Sequence, residues 1–346
     1  MKGPREPRTP TARAFRGRHA PTPDQRDAAC AVVSVRLPQE DFCVYVAPRG
    51  FVSELRHELG NRVLAVRGRL LLARGAPVPA FWAQNIWLRP QWLRVASIND
   101  AARQLRGLGR RWHLHPLDLH RRAALIEQAL PRVRTGPLEF GAPLPAFCTQ
   151  ALGAWTLWDT DSILASPETS SPFPDGQVDF VENRLEPPGR AYLKLWEVFT
   201  LLGRRPAPGE LCLDLGAAPG GWSWVLGRLG ARVFSVDKAP LAPQVAALPT
   251  VNPCHGSGFA LEPRHAGRVD WLFSDMICYP ERLWGLVSRW LEADCCPCCV
   301  CTLKFQSGGD AAARLAVART FAAVPHSRVL HLSCNKHELT WARLVP

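Results

Sequence analysis

The chain has 346 residues, 47% of them apolar, and its 42 Lys and Arg outnumber its 30 Asp and Glu by 12. This length allows two domains with sizeable cores, and because no run approaches roughly 18 unbroken apolar residues, the sequence predicts no membrane span. The excess of arginine favours an anionic partner, with nucleic acid ahead of a merely basic surface. Twelve cysteines and no secretory signal indicate free thiols in a reducing compartment, so we expect a cytoplasmic protein.

The first part of the chain predicts a basic arm followed by a mixed domain. Residues 1–28 are rich in arginine and proline and contain no apolar segment, which predicts a disordered arm. From Cys30 onward the pattern predicts strands, a helix ending at a glycine, a hairpin and a second helix, over residues 30–39, 42–48, 50–60, 62–74 and 98–108. We therefore expect an α+β domain over residues 29–160.

A polar segment rich in proline and serine follows. Its sequence, SPETSSPFPDGQ, begins at Ser166 and predicts a linker or flap, which we place over residues 161–185. Strands and helices then alternate over residues 186–346, which predicts a mostly parallel sheet covered by helices. The predicted strands are Leu211–Leu215, Arg232–Val236, Val269–Ser274, Val300–Phe305, Arg328–Leu332 and Leu339–Leu344, and the predicted helices are Trp222–Leu229, Pro280–Leu291 and Ala311–Ala323. The connection between the last two strands is too short for a parallel crossover, so they must form an antiparallel hairpin. This is the outline of a Rossmann-like, class I methyltransferase domain.

The stretch LDLGAAPGGW predicts a glycine-rich turn between a strand and a helix. It has neither the lysine of a phosphate-binding P-loop nor the glycine spacing of a dinucleotide fingerprint. Gly216 and Gly220 allow close approach of a ligand, and the helix that starts at Gly221 favours a carboxylate at its N-terminus. Asp237, at the end of the next strand, is suited to bind two ribose hydroxyls, as in S-adenosylmethionine or NAD.

The segments LDLGAAPGGWSWVL and VFSVDKAPL resemble the FtsJ/RrmJ group of S-adenosylmethionine-dependent ribose 2′-O-methyltransferases, and within it the large-subunit ribosomal RNA methyltransferase M type. The resemblance implies S-adenosylmethionine as cofactor and ribosomal RNA as partner, with a cytidine as one candidate target. The segments YVAPRGFVSELRHELG and IWLRPQW resemble the THUMP-containing half of that type. The cofactor-binding residues expected on this basis are Asp214, Gly216, Ala217, Pro219, Gly220, Gly221, Trp222, Asp237, Ser257 and Asp275.

The family uses a Lys-Asp-Lys-Glu tetrad, and the resemblance places it at Lys194, Asp275, Lys304 and Glu338. Lys194 lies in PPGRAYLKLWEVF, which resembles the family stretch S-R-A-x-x-K-L-x-E, and the other three lie at predicted strand ends. A ribose hydroxyl is a weak acid, so attack on a sulfonium methyl needs a base, and a lysine serves if burial or a nearby cation lowers its pKa. We expect Lys304 as general base, Asp275 and Lys194 as the groups that orient and tune it, and Glu338 as support.

The sequence departs from the family at two positions. Ser257 stands where the family carries an acidic residue near the adenine, and Gly189 stands where it tends to have serine. These changes favour a rival interpretation, an RNA-binding or ribosome-assembly factor with a vestigial methyltransferase fold.

Other acceptor chemistries are less consistent with the sequence. Methylation of an exocyclic amine usually requires an Asn/Asp-Pro-Pro-aromatic motif, whereas Ser274 is followed by Asp275-Met276-Ile277. Cytosine-C5 methylation requires a cysteine nucleophile, and Pro297-Cys298 stays a minor candidate within the cluster Cys295, Cys296, Cys298, Cys299 and Cys301. We expect this cluster to be buried thiols and predict no metal site.

Three further expectations concern partners. The stretch RRWHLHPLDLHRR predicts a basic, aromatic patch that contacts RNA, and Trp82, Trp87 and Trp92 predict core residues, one of which is free to stack on a base. We expect an RNA partner, no DNA or membrane partner, and a monomer.

Overall fold

The computed structural model describes residues 41–133, 135–305 and 310–346, which form three β-sheets. The predicted arm over residues 1–28 and the predicted strand over residues 30–39 lie outside the described residues. No helix among the described residues has the length and apolar character needed to cross a membrane.

The first sheet is antiparallel and carries one helix. Its strand order is β2-β3-β1-β4, and β2 and β3 form the hairpin predicted from the sequence. The helix buries Val52, Leu55 and Leu59 on one stripe and ends at Gly60, whose φ of 56° suits glycine. The elements are β1 (Phe42–Val46), α1 (Val52–Leu59), β2 (Val63–Arg67), β3 (Leu70–Arg74) and β4 (Asn85–Trp87).

The second sheet has the order β5-β8-β7-β6, with β6 parallel to β7 and the other pairs antiparallel. The predicted linker over residues 161–185 begins inside this sheet, because Ser162–Ser166 is small or apolar throughout and forms a fully buried strand. The domain boundaries otherwise stay a prediction. The elements are β5 (Gln91–Arg94), α2 (Ile98–Leu108), β6 (Trp112–Leu114), α3 (His120–Gln128), β7 (Gly153–Leu157) and β8 (Ser162–Ser166).

The predicted RNA-contacting patch around β6 is corrected in part. Trp112 is 4% exposed, and its indole Nε1 donates hydrogen bonds to the carbonyls of Leu105 and Gly109. His115 is also buried, with Nδ1 2.8 Å from Oδ1 of Asp175. These rings therefore hold the fold together, because each finds a hydrogen-bond partner in the interior. Trp82 and Trp87 are buried, as predicted.

The third sheet has seven strands in the order β11-β10-β9-β12-β13-β15-β14. The strands are parallel except β15, which is antiparallel to both β13 and β14, so the predicted mostly parallel sheet and C-terminal hairpin are confirmed, whereas the THUMP-like character of the N-terminal domain stays a prediction. Strand β11 and helix α4 were not among the predicted elements. The strands are β9 (Leu211–Leu215), β10 (Arg232–Asp237), β11 (Val251–His255), β12 (Trp271–Ser274), β13 (Cys298–Lys304), β14 (Ser327–Leu330) and β15 (Glu338–Leu344). The helices are α4 (Tyr192–Leu202), α5 (Gly221–Arg228), α6 (Pro243–Ala246), α7 (Pro263–Ala266), α8 (Pro280–Glu292) and α9 (Ala311–Ala322).

The first sheet lies between the other two. Alternate residues of β1 point to opposite faces, so Cys43 and Tyr45 pack in a core shared with the third sheet, whereas Val44 and Val46 pack in a core shared with the second. Helices α8 and α9 cover the face of the third sheet that meets the first sheet, and α4 and α5 cover the opposite face. The N-terminal region is thus packed directly on the methyltransferase-like region.

Candidate active site

The glycine-rich turn lines a cavity at the carboxyl ends of β9, β10 and β12. Its volume of about 510 Å³ lies within the usual range for small-molecule sites, roughly 300–1,000 Å³. The predicted cofactor residues that line it are Asp214, Gly216, Ala217, Pro219, Gly221, Trp222, Asp237, Ser257 and Asp275. Among the predicted cofactor residues, all of which the structure describes, Gly220 alone does not line the cavity. It caps the N-terminus of α5 with φ 111° and lies close to Val245.

Backbone conformation and a close contact both favour glycine at position 216 of this turn. Its φ is 78°, and a Cβ at this position would lie 2.2 Å from Cγ of Met276. Its amide also donates a 2.8 Å hydrogen bond to the carbonyl of Val236, which ties the turn to β10. The absence of a side chain therefore lets two strand ends approach each other at the cavity wall.

Asp237 and Asp214, two of the carboxyl groups that line this cavity, have different surroundings. Asp237 accepts hydrogen bonds from the amides of Ala218 at 3.0 Å and Ala239 at 2.8 Å, so its carboxylate is fixed at the end of β10. Asp214 is 1% exposed and accepts a 2.6 Å hydrogen bond from the Ser223 hydroxyl. Burial raises the pKa of Asp214 to about 7, so this carboxyl group is partly protonated at neutral pH.

The four predicted catalytic residues meet in one chain of ion pairs. Nζ of Lys194 lies 3.2 Å from Oδ1 of Asp275 and 2.6 Å from Oε1 of Glu338. Nζ of Lys304 lies 3.0 Å from the same Asp275 oxygen and donates a 2.6 Å hydrogen bond to the Asp275 carbonyl. Asp275 therefore bridges two ammonium groups.

The electrostatics of the tetrad distinguish its two lysines. Burial alone lowers the pKa of Lys194, but the carboxylates of Asp275 and Glu338 outweigh it and hold that pKa above its ordinary value. Lys194 is therefore held in its charged form by two carboxylates, whereas Lys304 contacts a single carboxylate oxygen and a backbone carbonyl.

A second cavity lies on the other side of the tetrad. Its volume is about 820 Å³, and Lys194 and Glu338 line it, whereas Asp275 and Lys304 line the first cavity. Ala191 lines both. The tetrad thus stands between a cavity walled by the glycine-rich turn and a second, larger one.

Glu197 is a polar residue of the second cavity that the sequence analysis did not assign. It lies one helical turn after Lys194 on α4, is 3% exposed, and accepts 2.8 Å hydrogen bonds from both the amide and the hydroxyl of Ser333. Burial raises its pKa to about 7. The sequence did contain a signal for Glu197, because this residue occupies the last position of the family stretch S-R-A-x-x-K-L-x-E.

The first cavity holds further residues that the sequence did not reveal. The guanidinium of Arg282 lies 3.9 Å from the ring centre of Phe259, and both residues line the cavity beside Ser257. This cation–π pair forms between α8 and the segment after β11, so it depends on packing that no local pattern encodes.

The cysteine cluster lies away from both cavities. Cys298, Cys299 and Cys301 are buried in β13, and Cys296 is 1% exposed just before it. Among the described residues that line either cavity, none belongs to this cluster. Burial raises the pKa of the Cys298 thiol, which makes it a poor nucleophile.

Strand order and family comparison together define the class of this region. Residues 188–282 match the model of a family described as FtsJ-like methyltransferase. This part of the chain therefore carries the FtsJ-like methyltransferase fold, and the resemblance predicted from the sequence is confirmed for it.

Two curated relatives are similar over part of the chain. The ribosomal RNA large subunit methyltransferase M of Halorhodospira halophila is 39% identical over 120 residues, which cover 34% of this chain and 35% of the relative. That of Alkalilimnicola ehrlichii is 38% identical over 159 residues, 43% of each protein. The chain thus aligns with less than half the length of these relatives. The solved structure of a human methyltransferase 10 domain containing protein is 14% identical with a TM-score of 0.33, over 47% of this chain and 87% of that one.

Proposed function

We propose that the protein transfers a methyl group from S-adenosylmethionine to a ribose 2′-hydroxyl of RNA, with large-subunit ribosomal RNA as the substrate. The observation that carries the proposal is the chain of ion pairs from Lys304 through Asp275 and Lys194 to Glu338, which links the two cavities. A methyl donor in one cavity and an acceptor ribose in the other would meet at this chain.

The residues of the first cavity fit S-adenosylmethionine. Gly216 brings backbone to the wall of the cavity, and the fixed carboxylate of Asp237 has lone pairs left to accept hydrogen bonds from ribose hydroxyls. Ser257 can also accept a hydrogen bond, although it lacks the charge usual in the family. When bound, S-adenosylmethionine supplies an electrophilic methyl group.

The tetrad provides the proton chemistry that a ribose hydroxyl needs. Lys304, in its neutral form, would remove the hydroxyl proton, and Asp275 would orient its amine through the 3.0 Å contact. Lys194 stays charged because two carboxylates pair with it, so it would stabilise the developing alkoxide. Glu338 would hold Lys194 in place.

Charge and comparison support an RNA substrate. The net charge of +12 favours a polyanion, and Arg110, just before β6, and Arg121, in the first turn of α3, are exposed to solvent. Both relatives described above are named for ribosomal RNA. We infer that residues 29–160 recruit RNA and residues 186–346 carry out the transfer.

The test measures methyl transfer from labelled S-adenosylmethionine to ribosomal RNA. It compares the wild-type full chain with the Lys304→Ala and Lys304→Arg variants. Arginine keeps the cation but does not deprotonate in proteins, so both variants should lose transfer while they retain cofactor affinity. Digestion should yield alkali-resistant dinucleotides, which only ribose methylation creates, and sequencing them identifies the target nucleotide.

Other outcomes would redirect the proposal. Label on a free base would point to cytosine-C5 chemistry. Loss of cofactor binding together with transfer in Lys304→Ala would remove Lys304 from the role of base. Binding of cofactor and RNA without transfer to RNA or ribosomal particles would favour the assembly factor.

A further inference from the structure

The strand ends that carry Lys304 and Glu338 are covered by two aromatic side chains of the N-terminal region. Phe51 lies just before α1, and Trp82 lies between β3 and β4; they are 6% and 2% exposed. Their rings stack with centroids 5.1 Å apart and planes 15° apart. Both belong to the core shared by the first and third sheets.

This aromatic pair contacts the residues adjacent to the two tetrad members. Trp82 lies 6.1 Å from Phe305, which follows Lys304, and Phe51 lies 5.5 Å from His337, which precedes Glu338. The amide of Phe305 donates a 3.0 Å hydrogen bond to the carbonyl of His337, so the two contact points are joined by one backbone bond.

The ring of His331 completes the contact. It lies 4.8 Å from Phe51 and 5.6 Å from Trp82, and it begins the connection that leads from β14 to Glu338. Burial lowers the pKa of His331 to about 4, so the ring is neutral and packs as an aromatic group.

The aromatic pair is itself held firmly. The carboxylate of Glu58 on α1 accepts hydrogen bonds from the amides of Phe81 at 2.7 Å and Trp82 at 3.0 Å. Helix α1 is in turn fixed to α9 by the 3.0 Å ion pair between Glu54 and Arg314, both largely buried. Movement of Trp82 would therefore break these hydrogen bonds or displace α1 from α9.

We propose that Trp82 and Phe51 are positioning residues for Lys304 and Glu338, so that the N-terminal region sets the geometry of the tetrad as well as recruiting RNA. The proposal rests on the proposed function. Loss of the Trp82 ring would leave space beside Phe305, and a shift of about 1 Å in a reacting group can cost on the order of a hundredfold in rate.

The experiment compares Trp82→Leu with Trp87→Leu in the full chain. Trp87 is an equally buried tryptophan of the first sheet, but it packs in the core shared with the second sheet. At a temperature where both variants are folded, Trp82→Leu should lose at least about tenfold in kcat. Its KM for RNA and Kd for S-adenosylmethionine should equal those of Trp87→Leu, whose kcat should stay at the wild-type value. Trp82→Phe, which keeps a ring beside Phe51, should restore most of the rate.

A second measurement does not require activity. Hydrogen exchange of the Phe305 amide should be faster in Trp82→Leu than in Trp87→Leu, because the bond to His337 loses its cover. Equal exchange in the two variants, an equal loss of kcat, or a defect confined to KM for RNA would overturn the positioning role. If Trp82→Leu does not fold, Phe51→Leu serves in its place, with the same expected results. A wild-type chain that transfers no methyl group would refute the proposed function. The exchange measurement would still test whether Trp82 positions the strand end that carries Lys304.

Discussion

The two walls of the candidate site are built in different ways. The cofactor wall is built around one short segment, residues 214–222, to which the end of β10 adds Asp237, and much of the segment is backbone whose shape glycine conformation determines. The tetrad comes from α4, the end of β12, β13 and β15, and it consists of charged side chains whose positions depend on one another. Local sequence therefore determines the glycine-rich part of the first wall, whereas tertiary packing, including that of the N-terminal region, determines the second.

The largest expected effect is on the cofactor wall. Gly216→Ala would place Cβ against Met276, a clash of about 1–3 kcal/mol, which lowers affinity for S-adenosylmethionine up to about a hundredfold. Gly209→Ala is the matched control, because its φ of 83° is equally unfavourable but no atom lies within 4 Å of the new Cβ. Calorimetric titration measures both, and equal affinities would show that the close approach at Gly216 is unimportant.

A pair of carboxamide variants should separate the two walls. Asp237→Asn removes a charged acceptor from the cofactor wall and should weaken S-adenosylmethionine binding about tenfold, with little change in kcat at saturation. Glu338→Gln removes the negative charge that pairs with Lys194 and should lower kcat about tenfold, with cofactor affinity unchanged. Steady-state kinetics and titration give both values. If each variant changed both quantities equally, the division into two walls would be wrong.

A smaller effect concerns Glu197, which joins the helix of Lys194 to Ser333. Its pKa is raised from 4.5 to about 7, so the folded protein retains a proton that the unfolded chain releases. The resulting stability, on the order of 3 kcal/mol, is complete below about pH 4.5 and is lost as pH rises through 7. Urea unfolding of Glu197→Gln should therefore show a weaker fall in stability between pH 5 and about 7 than wild type. The exposed Glu127→Gln serves as control, and identical profiles for the two variants would contradict the assignment.

The smallest expected effect is at Cys298. Cys298→Ala should leave methyl transfer unchanged, because the thiol is buried in β13 outside both cavities, and should cost about 1 kcal/mol of stability. Rate and denaturant midpoint are measured together. A folded but inactive variant would revive cytosine-C5 chemistry.

The sequence predicted the parts of the molecule that local chemistry determines. The strand that ends before Gly216, the antiparallel C-terminal hairpin and the placement of Asp275, Lys304 and Glu338 at strand ends all agree with the structure. Strand β11 was missed because it lies at the sheet edge and contains Pro253, which weakens a strand pattern.

Longer-range features were beyond local patterns. The ring of Trp112 looked available for RNA because a basic sequence surrounds it, but α2 supplies its hydrogen-bond acceptors. Likewise, no sequence spacing brings Trp82 to Phe305, since that contact depends on how the first sheet docks on the third.

Lys304 and Glu338 are directly opposed partners in the antiparallel ladder of β13 and β15. Their separation is therefore determined by the ladder, whatever the length of the chain that connects them. An insertion in that connection would leave the pair unchanged, whereas one residue added inside either strand would turn one of the two side chains to the opposite face. Over evolution, this pair can tolerate a connection of variable length but no gradual change in register.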